Sequence, residues 1–182
     1  MEPKVLLICA CGRREGFTYT MCSEAEKTFR NGGWDAETVY PVEMDIGHCT
    51  GCGICENGKG CVLDDDMNSV YESFGNVDLV LMATPIHYSG VSSVMKVVID
   101  RFQTLWHSSE RGPKYMAAMM CGGHELPEFR GAMHVFKSFA ITAGSEWIGD
   151  LKIKDTDKKE YSGIEKETHD FVLNLMSFME QE

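Results

Sequence analysis

The 182-residue sequence holds no apolar run near the roughly 20 residues of a membrane span. It is poor in cations: 17 Lys and Arg stand against 28 Asp and Glu, a net charge of −11. Nucleic acid and anionic membranes demand concentrated positive charge, so neither is an expected partner. The phosphate-loop pattern G-x-x-x-x-G-K-[ST] is missing, and so is G-x-G-x-x-G, which argues against a nucleoside triphosphate or dinucleotide-fold site. Without internal repeats, low-complexity segments or a linker, residues 1–182 are expected to form one domain able to bury its own core. The first apolar run, Val5-Leu6-Leu7-Ile8, is too short for a signal sequence and leads into no small-residue cleavage site. A cytoplasmic chain is expected, and there eight cysteines point to metal or redox chemistry rather than to disulfides.

What is present is alternation. Lys4–Ala10, Trp34–Tyr40, Asp78–Thr84, Lys114–Cys121 and Glu146–Ile153 are short apolar runs, as strands buried on both faces of a parallel sheet require. Between them apolar residues recur at helical spacing. Met21, Ala25, Thr28 and Phe29 form one stripe, and Val91, Val94, Met95, Val98, Phe102 and Leu105 another. Phe129, Ala132, Met133, Phe136, Phe139, Ala140 and Ala143 form a third, with Gly144 as its C-cap. Ile164, Phe171, Val172, Leu175 and Met179 mark a last helix. Asp64-Asp65-Asp66 is expected to cap a short helix over Met67–Phe74, and the charged run Lys152–Glu167 to be a solvated loop. Strand and helix alternating five times predict a doubly wound α/β fold, a five-stranded parallel sheet between two helical layers. Such sheets bind ligands beyond the carboxyl ends of their strands, at the topological switch point.

Three loops fall at that edge. The first strand runs into Cys11-Gly12-Arg13-Arg14-Glu15-Gly16-Phe17-Thr18 and a helix, where amides and helix dipole suit an anion. Arg13 adds a charge and Thr18 a hydroxyl; an ordinary turn with two solvated arginines fits the same residues. The third strand ends in Pro85-Ile86-His87-Tyr88-Ser89-Gly90, whose aromatic pair can cover a flat ring. The fourth ends in Cys121-Gly122-Gly123-His124, whose glycines permit close approach to a planar ligand. Cys9 and Cys22 read as core residues. Cys11, at a helix N-terminus, could be a partly activated thiolate, with no strong base nearby to make it catalytic.

Cys49, Cys52, Cys55 and Cys61 follow the pattern C-x2-C-x2-C-x5-C within thirteen residues. A cubane iron-sulfur cluster fits this step best, because the C-x2-C-x2-C run recurs in bacterial ferredoxins. Zinc favours two C-x2-C pairs on a longer arm, and a disulfide suits another compartment. A loop of plain thiols is the remaining alternative.

Taken together, these blocks resemble the flavodoxin-like NAD(P)H-dependent FMN reductases. Cys11–Thr18 is similar to their phosphate loop S-x-R-x-x-x-N-T, with Cys11 in place of serine and Phe17 in place of asparagine. Thr84–Gly90, Met95-Lys96 and Asp100-Arg101 resemble the T-P-x-Y block that ends in K-x-x-x-D-R, with His87 preceding Tyr88. Gly122-Gly123 matches a glycine pair beside the flavin ring. The cysteine stretch, closing on Cys61-Val62-Leu63-Asp64-Asp65-Asp66-Met67, is similar to the iron-sulfur flavoprotein branch. The resemblance runs from residue 4 to about residue 153.

It implies a flavodoxin-like fold and an FMN-dependent oxidoreductase. FMN phosphate would meet Cys11, Arg13, Phe17 and Thr18. Its ring would meet Pro85, Ile86, His87, Tyr88, Ser89, Gly90, Gly122, Gly123 and His124, with Cys121 nearby. A [4Fe-4S] cluster would sit on Cys49, Cys52, Cys55 and Cys61. The implied partners are NAD(P)H or a ferredoxin-like donor and a small-molecule acceptor, in a homodimer or homotetramer. The flavin supplies the chemistry, so no catalytic side chain is singled out. Rival readings are an FMN or quinone reductase without a cluster, and a redox-sensing module that has lost flavin, kept open by Cys11 and Phe17. Because the cysteine loop at 48–64 follows the second strand, it is expected at the same carboxyl edge as the flavin loops.

Overall fold

The computed structural model describes residues 2–108, 112–158 and 161–181. Its strands are β1 (Lys4–Cys9), β2 (Asp35–Val39), β3 (Leu79–His87), β4 (Gly90–Val91), β5 (Tyr115–Cys121) and β6 (Glu146–Ile153). Its helices are α1 (Phe17–Asn31), α2 (Met67–Gly75), α3 (Ser93–Arg101), α4 (Arg130–Ala143) and α5 (Tyr161–Glu180). The sheet order is β2-β1-β3-β5-β6, all parallel, with β4 antiparallel on the end of β3. The five apolar runs are the five parallel strands, and the direction of winding reverses between β1 and β3. Alternate residues explain the three layers: Val5, Leu7 and Cys9 join α1 and α5 in one core, Leu6 and Ile8 join α2, α3 and α4 in the other. Among the described residues no helix is long and apolar enough to cross a membrane.

The strand expected to stop at Thr84 continues through Pro85 to His87. Proline has no N–H for a ladder, but β1 has already ended: the Ala10 N–H to Ala83 carbonyl bond (2.9 Å) closes that side. The chain then reverses over Tyr88 and Ser89, both at positive φ (49° and 64°), and pairs His87 with Gly90. Two-residue turns of this hand normally take Asn-Gly, so nothing in Tyr-Ser announces one. Val91, expected in a helix, therefore lies in β4, and α3 starts at Ser93.

The hairpin tip is seated on α4. A Cβ at Gly131 would lie 2.3 Å from the Ser89 carbonyl oxygen, so backbone meets backbone there. Gly131→Ala should gain about 0.5–1 kcal/mol of helix propensity but lose about 1–3 kcal/mol to the clash. The expected outcome in urea unfolding is net destabilisation; a variant as stable as the parent would show that α4 shifts freely away.

Two further expectations are adjusted. Lys152 and Ile153 close β6 and Tyr161 opens α5, so the charged run is only partly loop; Lys159 and Glu160 lie outside the described residues. Of the three aspartates, Asp65 caps α2 by accepting from the Met67 N–H (3.1 Å), whereas Asp66 accepts from the Asp45 N–H (2.7 Å).

Candidate functional site

The register Cys9↔Ala83 and Pro85↔Cys121 brings the exits of β1, β3 and β5 side by side. Ser92 ties them together. Its hydroxyl donates to the Ala10 carbonyl (3.0 Å) and caps the Met95 N–H (3.3 Å), while its N–H donates to Thr84 Oγ1 (3.0 Å). Sequence reasoning passed over this buried serine, although a serine ahead of an apolar helix is an N-cap signal.

At the β1 exit, α1 begins at Gly16 (φ 127°) without a side-chain cap, which leaves its start open to an anion. Arg13 passes over this turn: a Cβ at Gly16 would lie 3.4 Å from its Nε. Arg14 is committed elsewhere, paired with Glu43 and 4.0 Å from the centre of the Tyr40 ring. Thr18 is buried, and its hydroxyl contacts Cys121 Sγ at 3.2 Å instead of facing the loop. Cys11 is buried too, 3.5 Å from Cys9 Sγ. The Cys9 thiol and burial together push the Cys11 thiol up, the opposite of an activated thiolate. Burial likewise raises the Cys121 thiol. Phe17 is half-buried against the α1–α5 core.

The ring-side residues are brought together with two neighbours that the sequence did not suggest. A Cβ at Gly122 would lie 2.6 Å from Pro127 Cβ, and one at Gly123 2.7 Å from the Asp157 carboxylate. The glycines therefore admit their own chain at close range, and their Cα sides are covered. The turn after β6 bonds back on them: Asp155, Thr156 and Asp157 N–H groups donate to the carbonyls of His124, Gly122 and Gly123. His124 Nδ1 accepts from the Leu126 N–H (3.1 Å), which leaves its proton on Nε2. Pro85 and Ile86 are half-buried, His87 is exposed, and Tyr88 stands fully in solvent at the hairpin tip.

The cysteine loop follows β2. It is pinned by Glu43 to Arg14, and by the Asp45 and Gly47 N–H groups to Asp66 and Asp65. A 3-10 turn over Ile54–Asn57 follows, bracketed by Gly53 and Gly58 at φ 74° and 69°, where a side chain would be strained. Cys49, Cys52, Cys55 and Cys61 line one cavity of about 270 Å³, together with Arg101, Gln103, Thr104 and His107. Burial pushes the Cys55 thiol up, and the Cys61, Cys49 and Cys52 thiols add to the shift. Among the described residues no three His, Cys, Asp or Glu side chains converge on a single ion. Arg101 closes α3, about 12 Å along the helix from Ser93. No residue of the three exit loops lines this cavity.

Its inner wall is an ion pair. Arg101, 0 % exposed, bonds Asp65, 11 % exposed, through Nη1 (2.5 Å) and Nη2 (3.0 Å), and donates to the Gly47 carbonyl (2.9 Å). The Arg101 guanidinium, with the Gly47 and Met67 amides, holds the Asp65 carboxyl below the usual carboxylate range. Tyr71, pushed up to about 12 by burial, donates its phenol to the Arg101 carbonyl (2.6 Å).

A doubly wound sheet in this order, with its loops gathered at the switch between β1 and β3, is the flavodoxin-like fold. Residues 3–150 match the family model described as NADPH-dependent FMN reductase, and the chain belongs to that family. It is an FMN-dependent oxidoreductase. An iron-sulfur flavoprotein of Archaeoglobus fulgidus is 31% identical over 168 residues, 88% of this chain and 76% of the relative. An iron-sulfur flavoprotein of Methanocaldococcus jannaschii is 26% identical over 102 residues, 56% of this chain and 53% of the relative. Among solved structures, the NAD(P)H:quinone oxidoreductase from Methanothermobacter marburgensis superposes with a TM-score of 0.76, covering 97% of this chain and 98% of that one. At 12% identity, that likeness is one of fold.

Proposed function

We propose that this FMN-dependent oxidoreductase is an iron-sulfur flavoprotein, moving electrons between NAD(P)H or a ferredoxin-like donor and a small acceptor. The observation that carries this reading is the single cavity lined by Cys49, Cys52, Cys55 and Cys61. Zinc would gather four thiolates about 2.3 Å from one centre, whereas a cubane spreads them over four irons. Thiols that ring a cavity without converging fit the second arrangement. The relatives' names point the same way.

Bound FMN exchanges electrons singly or in pairs and a cluster exchanges them singly, so the two together join one-electron and two-electron partners. The chain's own part is binding and placement. The uncapped start of α1 and Arg13 would hold the FMN phosphate. With Cys11 and Thr18 turned into the core and Phe17 in the asparagine position, backbone amides would carry what the serine and asparagine side chains carry in the resembling loop. Pro85–Gly90 and Gly122–His124 would flank the ring, and no side chain is needed to move a proton. The reading includes a homodimer or homotetramer.

The test is a spectrum with an iron assay on anaerobically purified protein. Flavin absorption with about four irons per chain is the expected result. A yellow, iron-free protein would mean a reductase without a cluster. Colourless protein that takes up no added FMN would overturn both.

A further inference from the structure

Arg101 is among the largest fully buried side chains of the described residues, and it lines the cysteine cavity. Its Nη atoms are occupied by Asp65 and Gly47, but its Nε is buried with no acceptor among the described residues. A buried N–H without a partner costs on the order of 1–3 kcal/mol, which an acceptor supplied by a bound group would relieve. Among the described residues Tyr115 Oη and Thr168 Oγ1 are also buried without partners, but only Arg101 Nε belongs to a residue that lines this cavity. The cavity that Arg101 lines also holds Glu56, Gln103, Thr104 and His107, but the four thiols are the groups that become strong acceptors as thiolates on a cluster. A cluster on four cysteinates is anionic, and hydrogen bonds and nearby charge set its potential.

We infer that Arg101 is the positioning residue of the centre held by Cys49, Cys52, Cys55 and Cys61. Its Nε–H donates to a sulfur of that centre, and its charge, shared with Asp65, sets the ease of reduction. The inference rests on the cluster reading. A buried cation favours the more negative, reduced form, so it raises the potential. Asp65 opposes it, drawing the positive charge toward its own carboxylate. The two residues therefore act with opposite signs, which a merely structural role would not produce.

The experiment is anaerobic reconstitution with iron and sulfide, an iron count, and a redox titration of the cluster followed by its absorption or EPR signal. Arg101→Gln should shift the reduced-to-oxidised ratio at a fixed potential at least tenfold toward oxidised, a fall of about 59 mV for one electron. Asp65→Asn should shift it toward reduced. Arg101→Lys keeps the charge and loses the Nε donor, and should fall between wild type and Arg101→Gln. Should Arg101→Gln fail to fold, Asp65→Asn and Arg101→Lys still decide the sign. Loaded variants with unmoved potentials, or with both charges shifting it the same way, overturn the inference alone. A wild-type chain that takes up no iron overturns the cluster reading and this inference with it.

Discussion

Replacing Cys52 and Cys55 together with alanine should leave a chain that still binds FMN and carries almost no iron. Two of the four thiolates that ring the cavity would be gone, and the remaining pair, Cys49 and Cys61, cannot retain a cubane. The fall should be from about four irons per chain to near none. Flavin should persist because the loops proposed to hold it contribute no residue to the cysteine cavity. Stability of the iron-free chain should change by no more than about 0.5 kcal/mol, as for most surface substitutions: Cys52 is exposed and Cys55 only half-buried. Iron retained at the parental level would overturn the ligand assignment. Loss of flavin along with iron would show that the two sites are not separate.

Asp65→Ala should be the most damaging single change to stability. It strands the guanidinium of Arg101, and it also removes the acceptor of the Gly47 and Met67 N–H groups. Removing one member of a buried ion pair typically costs about 3–5 kcal/mol, because the other charge stays buried. For a domain of this size that is a fall of roughly 6–20 °C in Tm. The pH dependence follows from the direction of the Asp65 shift. Its carboxyl is more acidic folded than unfolded, so its contribution is fully present above the ordinary aspartate value of about 3.9. It is lost as pH falls through the lower folded value. Urea unfolding at neutral pH and near about pH 3 should show the gap between parent and Asp65→Ala narrowing on acidification. A constant gap would mean that the carboxylate's charge contributes nothing.

The sheet was legible because its strands are buried on both faces, so each is a compact apolar run with no competing period. Edges were harder. Pro85 reads as a strand end, and only the early stop of β1 lets β3 run past it. Tyr88-Ser89 carries no turn signal; the reversal is imposed from outside, where the Ser89 carbonyl meets Gly131. The four-cysteine set was legible from spacing alone, but its position was not. Following β2 in sequence suggested an edge shared with the exit loops; Asp65, Asp66 and Arg101 pin the stretch around Asp45 and Gly47, and the four cysteines line a cavity to which no exit-loop residue contributes. Thr18 and Cys11 looked like ligand contacts because a motif was matched position by position. Their actual partners, Cys121 and Cys9, sit 103 and 2 residues away, and the longer contact depends on strand neighbours that no local pattern encodes.

The cysteine cavity shares no lining residue with the exit loops of β1, β3 and β5, and this has a consequence for traffic around the molecule. Within one subunit, a partner docked over the cysteine cavity would not stand over the loops where a small molecule enters. The two partners can then be on the enzyme at once and need not take turns at one doorway.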